Sequence, residues 1–184
     1  MALTATTHKV FLDISDTDRG VYEAVHMTVA RHPSETEERM VARILAYGLW
    51  YDEGLEFGRG LSDPDEPALR RRGLDGRTCH WIDVGRPDSD RLTWCARRCP
   101  RTSLLAYGNI EQWAEQVLHR VATLDNLEIA VLPREPMNAL AVDLPRKIEW
   151  GLMITDGVLY VSDGDRQHEL PLTWLMRQRE SAGA

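Results

Sequence analysis

Only two lysines, Lys9 and Lys147, stand among the 184 residues, so chemistry that needs an amine base or a Schiff-base former has almost no side chain to use. Cysteine is nearly as scarce. Cys79, Cys95 and Cys99 are odd in number and lack the paired Cys-x-x-Cys or Cys/His spacing of a zinc module, which makes reduced thiols the expectation. The longest apolar runs, Leu104 to Tyr107 and Ile129 to Leu132, fall far short of a bilayer span, and no charged-then-apolar signal segment opens the chain. A soluble cytoplasmic protein without a membrane partner is expected, with a monomer as the favoured state. The Walker loop, the Gly-x-Ser-x-Gly elbow and the His-Glu-x-x-His pair are all missing, which removes the local signatures of three common enzyme classes. Gly58-Arg59-Gly60 lacks the third glycine of a dinucleotide loop, and Asp163-Gly164-Asp165 lacks the later ligands of a calcium loop and reads as a hairpin turn.

What is present is enough for one substantial core. At 43% hydrophobic, the chain fits a single domain spanning 1–184. The net charge of −7 argues against a surface that grips duplex DNA all round. Its distribution is uneven: residues 70 to 101 hold nine arginines against four acids, or +5, while the rest holds 13 basic and 25 acidic side chains, or −12. An anion-binding face for DNA or RNA on an acidic body is one reading of that asymmetry, and a solvated charged surface is the other.

Alternation and turn residues predict strands over 6–14 and 21–30, paired as a hairpin. A helix is expected from a Ser34 cap to about Trp50, with Val41, Ile44, Leu45 and Gly48 on one stripe, Glu38 at its edge and Glu35 further round toward solvent. A weak strand at 55–59, an acid- and proline-rich turn at 62–67 and a helical turn at 68–72 follow. The strand 77–85, a helix opened by Pro87-Asp88-Ser89-Asp90 and stopped by Pro100, and a strand over 103–107 come next. Beyond them come a helix over 109–124, a strand over 127–132, a helix over 135–143, and tail strands 148–154, 158–162 and 168–172 closing the sheet. The fold class is α/β of the α+β kind: one mixed sheet flanked by helices, with a core over about 34–107 plus extra antiparallel strands.

Trp81-Ile82-Asp83-Val84-Gly85 carries the sharpest chemical signal, because a carboxylate inside a buried strand requires a partner, a metal or a solvated cleft. Acids at Glu35/Glu37/Glu38 and at Asp63/Asp65/Glu66 precede it. Each has a local explanation, since acids favour a first helical turn and a proline-rich turn. For Asp83 the structural alternative is a salt bridge to Arg91. The six histidines are scattered without metal-ligand spacing, and the tryptophans read as core.

The order of helix, strand, acidic turn, acid-bearing strand, helix and strand is that of a PD-(D/E)XK nuclease core. Such a core uses oxygen ligands for Mg²⁺ and a fixed cation near the phosphate. His32-Pro33-Ser34-Glu35-Thr36, Glu38-Arg39-Met40, Arg59-Gly60-Leu61, Asp65-Glu66-Pro67 and Trp81-Ile82-Asp83-Val84-Gly85 resemble the YaeQ family over essentially the whole chain. The resemblance implies a variation on the PD-(D/E)XK fold. Carried over by position, it makes Glu38 the helix carboxylate, Asp65 or Glu66 the turn carboxylate and Asp83 the strand carboxylate. Asp83 stands where the family strand usually carries glutamate, and Gly85 stands where a nuclease would carry lysine.

The expectation is a Mg²⁺- or Mn²⁺-dependent phosphodiesterase acting on DNA or RNA. Its metal ligands would be Glu38, Asp65, Glu66 and Asp83, and its reaction centre Asp83, Glu66, Arg91 and Arg98. Arginine does not deprotonate at neutral pH, so neither Arg91 nor Arg98 can serve as a base. The alternative is a catalytically degenerate nuclease-fold module acting in transcription or RNA metabolism through nucleic acid or a protein partner. A purely structural interaction protein is a third reading.

Overall fold

Apolar and polar residues alternate along β1 (Thr6–Asp16), burying His8, Val10, Leu12, Ile14 and Asp16 on one face. The computed structural model describes residues 4–59, 61 and 65–178, so Gly60 and Asp63 lie outside the described residues. β1 pairs antiparallel with β2 (Val21–Arg31), as the hairpin pattern predicts. On its other side β1 takes up β8 (Lys147–Thr155) in parallel, and β9 (Val158–Asp163) and β10 (Arg166–Pro171) continue antiparallel from there. The tail strands therefore build a separate five-stranded sheet with β1 and β2; they do not close a single mixed sheet. Strand patterning shows which face of a strand is apolar but carries no information on which sheet receives it.

The second sheet has six strands in the order β11-β7-β6-β5-β4-β3. β3 (Leu55–Phe57), β4 (Leu69–Arg72) and β5 (Thr78–Val84) run antiparallel to one another. β6 (Arg101–Ala106) lies parallel to β5, and β7 (Leu127–Val131) parallel to β6. Helices α2 (Ser89–Arg98) and α3 (Glu111–Val121) make the two crossovers. Residues 69–72 form a strand where a helical turn was expected: Leu69 is fully buried opposite Ile82, while Arg70 and Arg72 reach Glu56 across the edge. β11 (Thr173–Met176) has no counterpart in the sequence reading. It follows β10 after one residue and crosses to the other sheet.

Helix α1 (Glu37–Leu49) is buried without interruption from Met40 to Leu49, because it touches β1 of one sheet and β5 of the other. An apolar stripe on one face understates this, since a helix held between two sheets needs apolar residues all round. A methyl group at Gly48 would sit 2.2 Å from Leu152 Cδ2, so glycine there lets α1 approach β8. The N-cap is Thr36, whose hydroxyl accepts from the Arg39 amide at 3.2 Å; Ser34, the expected cap, pairs with His32 instead. α4 (Arg134–Ala141) completes the four helices of the described residues.

A buried polar chain crosses the second sheet. His80 Nε2 and Ser103 Oγ are 2.7 Å apart, Ser103 donates to Glu128, and Glu128 accepts from Arg101 at 2.9 Å. Burial, with the charges of Arg101, Arg71 and Arg19, lowers the His80 pKa to about 3. The folded state thus keeps His80 neutral, while the unfolded chain protonates it near pH 6.5. Stability from this group is complete above pH 6.5 and falls as pH drops toward 3. By pH 5 the loss is roughly 2 kcal/mol. Urea titrations at pH 7.5 and pH 5 should show a smaller acid loss in His80→Gln than in wild type; equal losses would contradict this account.

Candidate functional site

Where β5 and β6 end, the chain opens a cleft of about 450 Å³ lined by Arg39, Glu66, Asp83, Arg86, Arg91 and Tyr107, among others. Each comes from a different local device. Arg39 is in the first turn of α1, Arg86 follows β5, and Arg91 is in the first turn of α2, whose N-cap Asp88 accepts from the Arg91 amide at 2.8 Å. Tyr107 immediately follows β6. Crevices at the carboxyl ends of adjoining parallel strands are where α/β sheets bind ligands.

Asp83 is buried, at 6% exposure, and both of its oxygens are engaged. Oδ1 accepts from the Ala68 amide at 3.2 Å, and Oδ2 accepts from Arg91 Nε at 3.0 Å. Arg91 Nη2 also donates to the Glu66 carbonyl at 3.2 Å, so one guanidinium ties the acidic turn to β5 and α2. Glu66 accepts from the Arg59 amide at 3.0 Å and from Arg70 Nη1 at 3.2 Å. The Arg59 amide first, and then Arg70, hold the Glu66 carboxyl below its usual range.

The remaining predicted residues stand apart from this pair. Glu38 is part-exposed in the first turn of α1 and does not line the cleft, although its charge reaches Tyr107. Burial raises the Tyr107 hydroxyl above its usual range, and Arg39 opposes the shift. Asp65 is exposed, and its charge favours the charged form of Arg91. Arg98 is exposed over the Trp94 ring, 4.0 Å from its centroid, away from the cleft. Among the described residues, no group of three His, Cys, Asp or Glu side chains is placed to hold a metal ion. As arranged, Asp83 and Glu66 direct their oxygens to amides and arginines.

Glycine at position 85 has a backbone reason. Its φ of +102° turns the chain out of β5 while its amide donates to Leu105 O at 2.9 Å. A side chain there would be strained, although nothing crowds the space. Gly85→Ala should lower stability by roughly 1–3 kcal/mol, read from the urea midpoint.

Glu35 lies before the helix cap, so the helical wheel that pointed it toward solvent does not apply. It is 3% exposed and grips Arg43 through both oxygens, with Arg43 Nε to Oε1 at 2.8 Å and Nη2 to Oε2 at 2.7 Å. Arg39 Nη1 donates to Oε1 at 2.6 Å, which links this buried pair to the cleft. Sequence reasoning missed Arg39, Arg86 and Tyr107 as cleft residues. The available signal was position: Arg86 and Tyr107 directly follow the two parallel strands.

Fold and cleft together define an α+β protein with two mixed sheets around a central helix and an arginine-lined crevice at the strand ends. The chain belongs to the YaeQ family, whose model, described as "YaeQ protein", matches residues 1–172. It is 34% identical to the "Uncharacterized protein YaeQ" of Salmonella typhi and 33% identical to that of Escherichia coli K12, each over 94% of this chain and 97% of the relative. Among solved structures, the YaeQ protein of Pseudomonas syringae is 55% identical, with a TM-score of 0.91 over 94% of this chain and 97% of that one. The Xanthomonas axonopodis pv. citri protein is 35% identical, with a TM-score of 0.90 over 94% and 99%.

Proposed function

We propose that the cleft binds a phosphodiester of DNA or RNA, and that the protein is a nucleic-acid-binding module on a PD-(D/E)XK-like core. The observation that carries this reading is the state of Asp83. Its carboxylate braces Arg91, and among the described residues it does not converge with two further acids, so the cleft presents fixed cations. Arg39, Arg86 and Arg91 approach from three elements, against Glu66 and Asp83. The chain order α1, three antiparallel strands, α2 and a parallel strand supports the nuclease-like ancestry.

Backbone contacts made by a few arginines give modest, salt-sensitive affinity. Arg86→Ala should weaken binding of a short labelled single strand several-fold and reduce the slope of log K against log salt by about 1. Fluorescence anisotropy across a salt series measures both. An unchanged slope would remove the cleft from the interface.

One observation favours hydrolysis as a second reading: Glu66 and Asp83 share the cleft. That reading would hold Mg²⁺ or Mn²⁺ on Glu66 and Asp83 with Arg91 facing the phosphate, and it would require Glu38, Asp65 and Arg98 to move toward the cleft. It requires cleavage of DNA or RNA that depends on added metal and disappears in Asp83→Asn. No cleavage with either metal, and no metal binding by calorimetry, would exclude it.

A further inference from the structure

At the opposite end of the same strands, a second cavity of about 680 Å³ separates the two sheets. It sits beside the C-terminal end of α1 and the starting ends of β6 and β7, so it shares no lining residue with the Asp83 cleft. Its volume is that of a small-molecule site. Two indoles line it, Trp50 and Trp174, with centroids 6.5 Å apart and planes at 77°.

The acids of this cavity have their hydrogen-bond partners within the protein. Asp16 pairs with Arg19 Nε at 2.6 Å, and Arg19 spends its other nitrogens on the carbonyls of Tyr51 and Gly48 at the end of α1. Asp18 accepts from the amides of Asp156 and Gly157 at 2.8 and 3.0 Å, which pins the β8–β9 turn. Glu128 accepts from Arg101 and Ser103. The cations are not matched in the same way. Arg101 gives one nitrogen to Glu128 and is 45% exposed. Arg177 lies 4.7 Å over the Trp174 ring, and among the described residues no carboxylate pairs with it. Three acids and three arginines balance in charge, yet their positions differ: Asp18 is satisfied by the backbone of the β8–β9 turn, while the Arg177 donors lie beside an aromatic face.

We infer that this inter-sheet cavity binds a small planar aromatic anion, its ring against Trp50 and Trp174 and its carboxylate or phosphate on Arg101 and Arg177. Aromatic faces supply stacking, and a guanidinium already over an indole keeps its planar fork available to an anion. A purely apolar ligand would leave Arg177 without a counter-charge, and a bare anion would leave the indoles unused.

Calorimetry on the full chain with adenosine monophosphate and with indole-3-carboxylate distinguishes the two anionic groups. At least one should bind with Kd below about 1 mM, and inorganic phosphate should bind more weakly. Arg177→Gln, at an exposed position that folding does not depend on, should weaken binding roughly tenfold, and Trp174→Leu should weaken it similarly. Arg86→Ala should leave it unchanged, because that residue belongs to the other cleft. Binding by neither probe, or binding as tight in Arg177→Gln as in wild type, overturns the inference. So does loss of binding in Arg86→Ala alone, which would move the ligand to the strand-end cleft.

Discussion

Replacing Glu35 by alanine is expected to cost about 3–5 kcal/mol of folding stability, the largest single loss foreseen for this chain. The cause is what remains behind. Arg43 is 1% exposed, and its only carboxylate partner among the described residues is Glu35. Its other contacts are the Ala30 carbonyl at 2.8 Å and the Phe57 ring, 5.6 Å from the guanidinium. Burial already lowers the Arg43 pKa, and the Glu35 charge is what opposes that shift. Without it a guanidinium would stay buried beside one carbonyl and an aromatic face. A loss of this size is a large part of the stability of an ordinary domain. Urea unfolding of Glu35→Ala at pH 7 measures it. Glu35→Ala combined with Arg43→Leu should recover part of the loss, because replacing both charges removes the unpaired one. A single-variant loss below about 1 kcal/mol would show that water reaches Arg43.

Asp83→Asn separates the two functional readings by the direction of its effect. If the cleft binds a phosphodiester through its arginines, removing the carboxylate takes away one repelling charge and releases Arg91 Nε from its present bond. Affinity for a short single strand should then rise about three- to tenfold, the effect expected of one unit charge near a protein surface. If the protein is a metal-dependent hydrolase, the same variant abolishes metal-stimulated cleavage. Stability falls in either case, by about 1–3 kcal/mol, since Asp83 is buried while the Arg91 side chain is 30% exposed. The affinity comparison must therefore be made on folded protein, verified by circular dichroism. Weaker binding without any cleavage in either protein would contradict both readings and would make Asp83 a structural brace alone.

Local patterns in the sequence identified much of the fold. The β1–β2 hairpin, α1, β5, α2 with its proline stop, β6, α3, β7 and the tail hairpins all follow from periodicity and turn residues within a few positions of each other. The oddity of Asp83 was legible for the same reason: an acid inside an apolar run requires a partner, and Arg91 on the next helix is that partner. Residues 69–72 read wrongly because Arg70-Arg71-Arg72 carries no apolar alternation of its own. Their strand exists because β5 and β3 offer ladders on both sides. β11 was invisible because its four residues are too few for a clear alternation and gain their strand geometry from β7.

By itself, the sequence determined the order of helices and strands apart from β4 and β11, the need to compensate Asp83, and the resemblance to the YaeQ family. Those depend on residues near one another in the chain or on motifs quoted whole. Tertiary structure alone decided that β8, β9 and β10 join β1 in a second sheet and that Glu35 turns inward to Arg43. It also decided that Glu66 and Asp83 pair with arginines from other segments of the chain. The physical reason is range. Backbone preference and amphipathic period act over a few residues, whereas the partner of a buried charge is selected by which distant element packs against it.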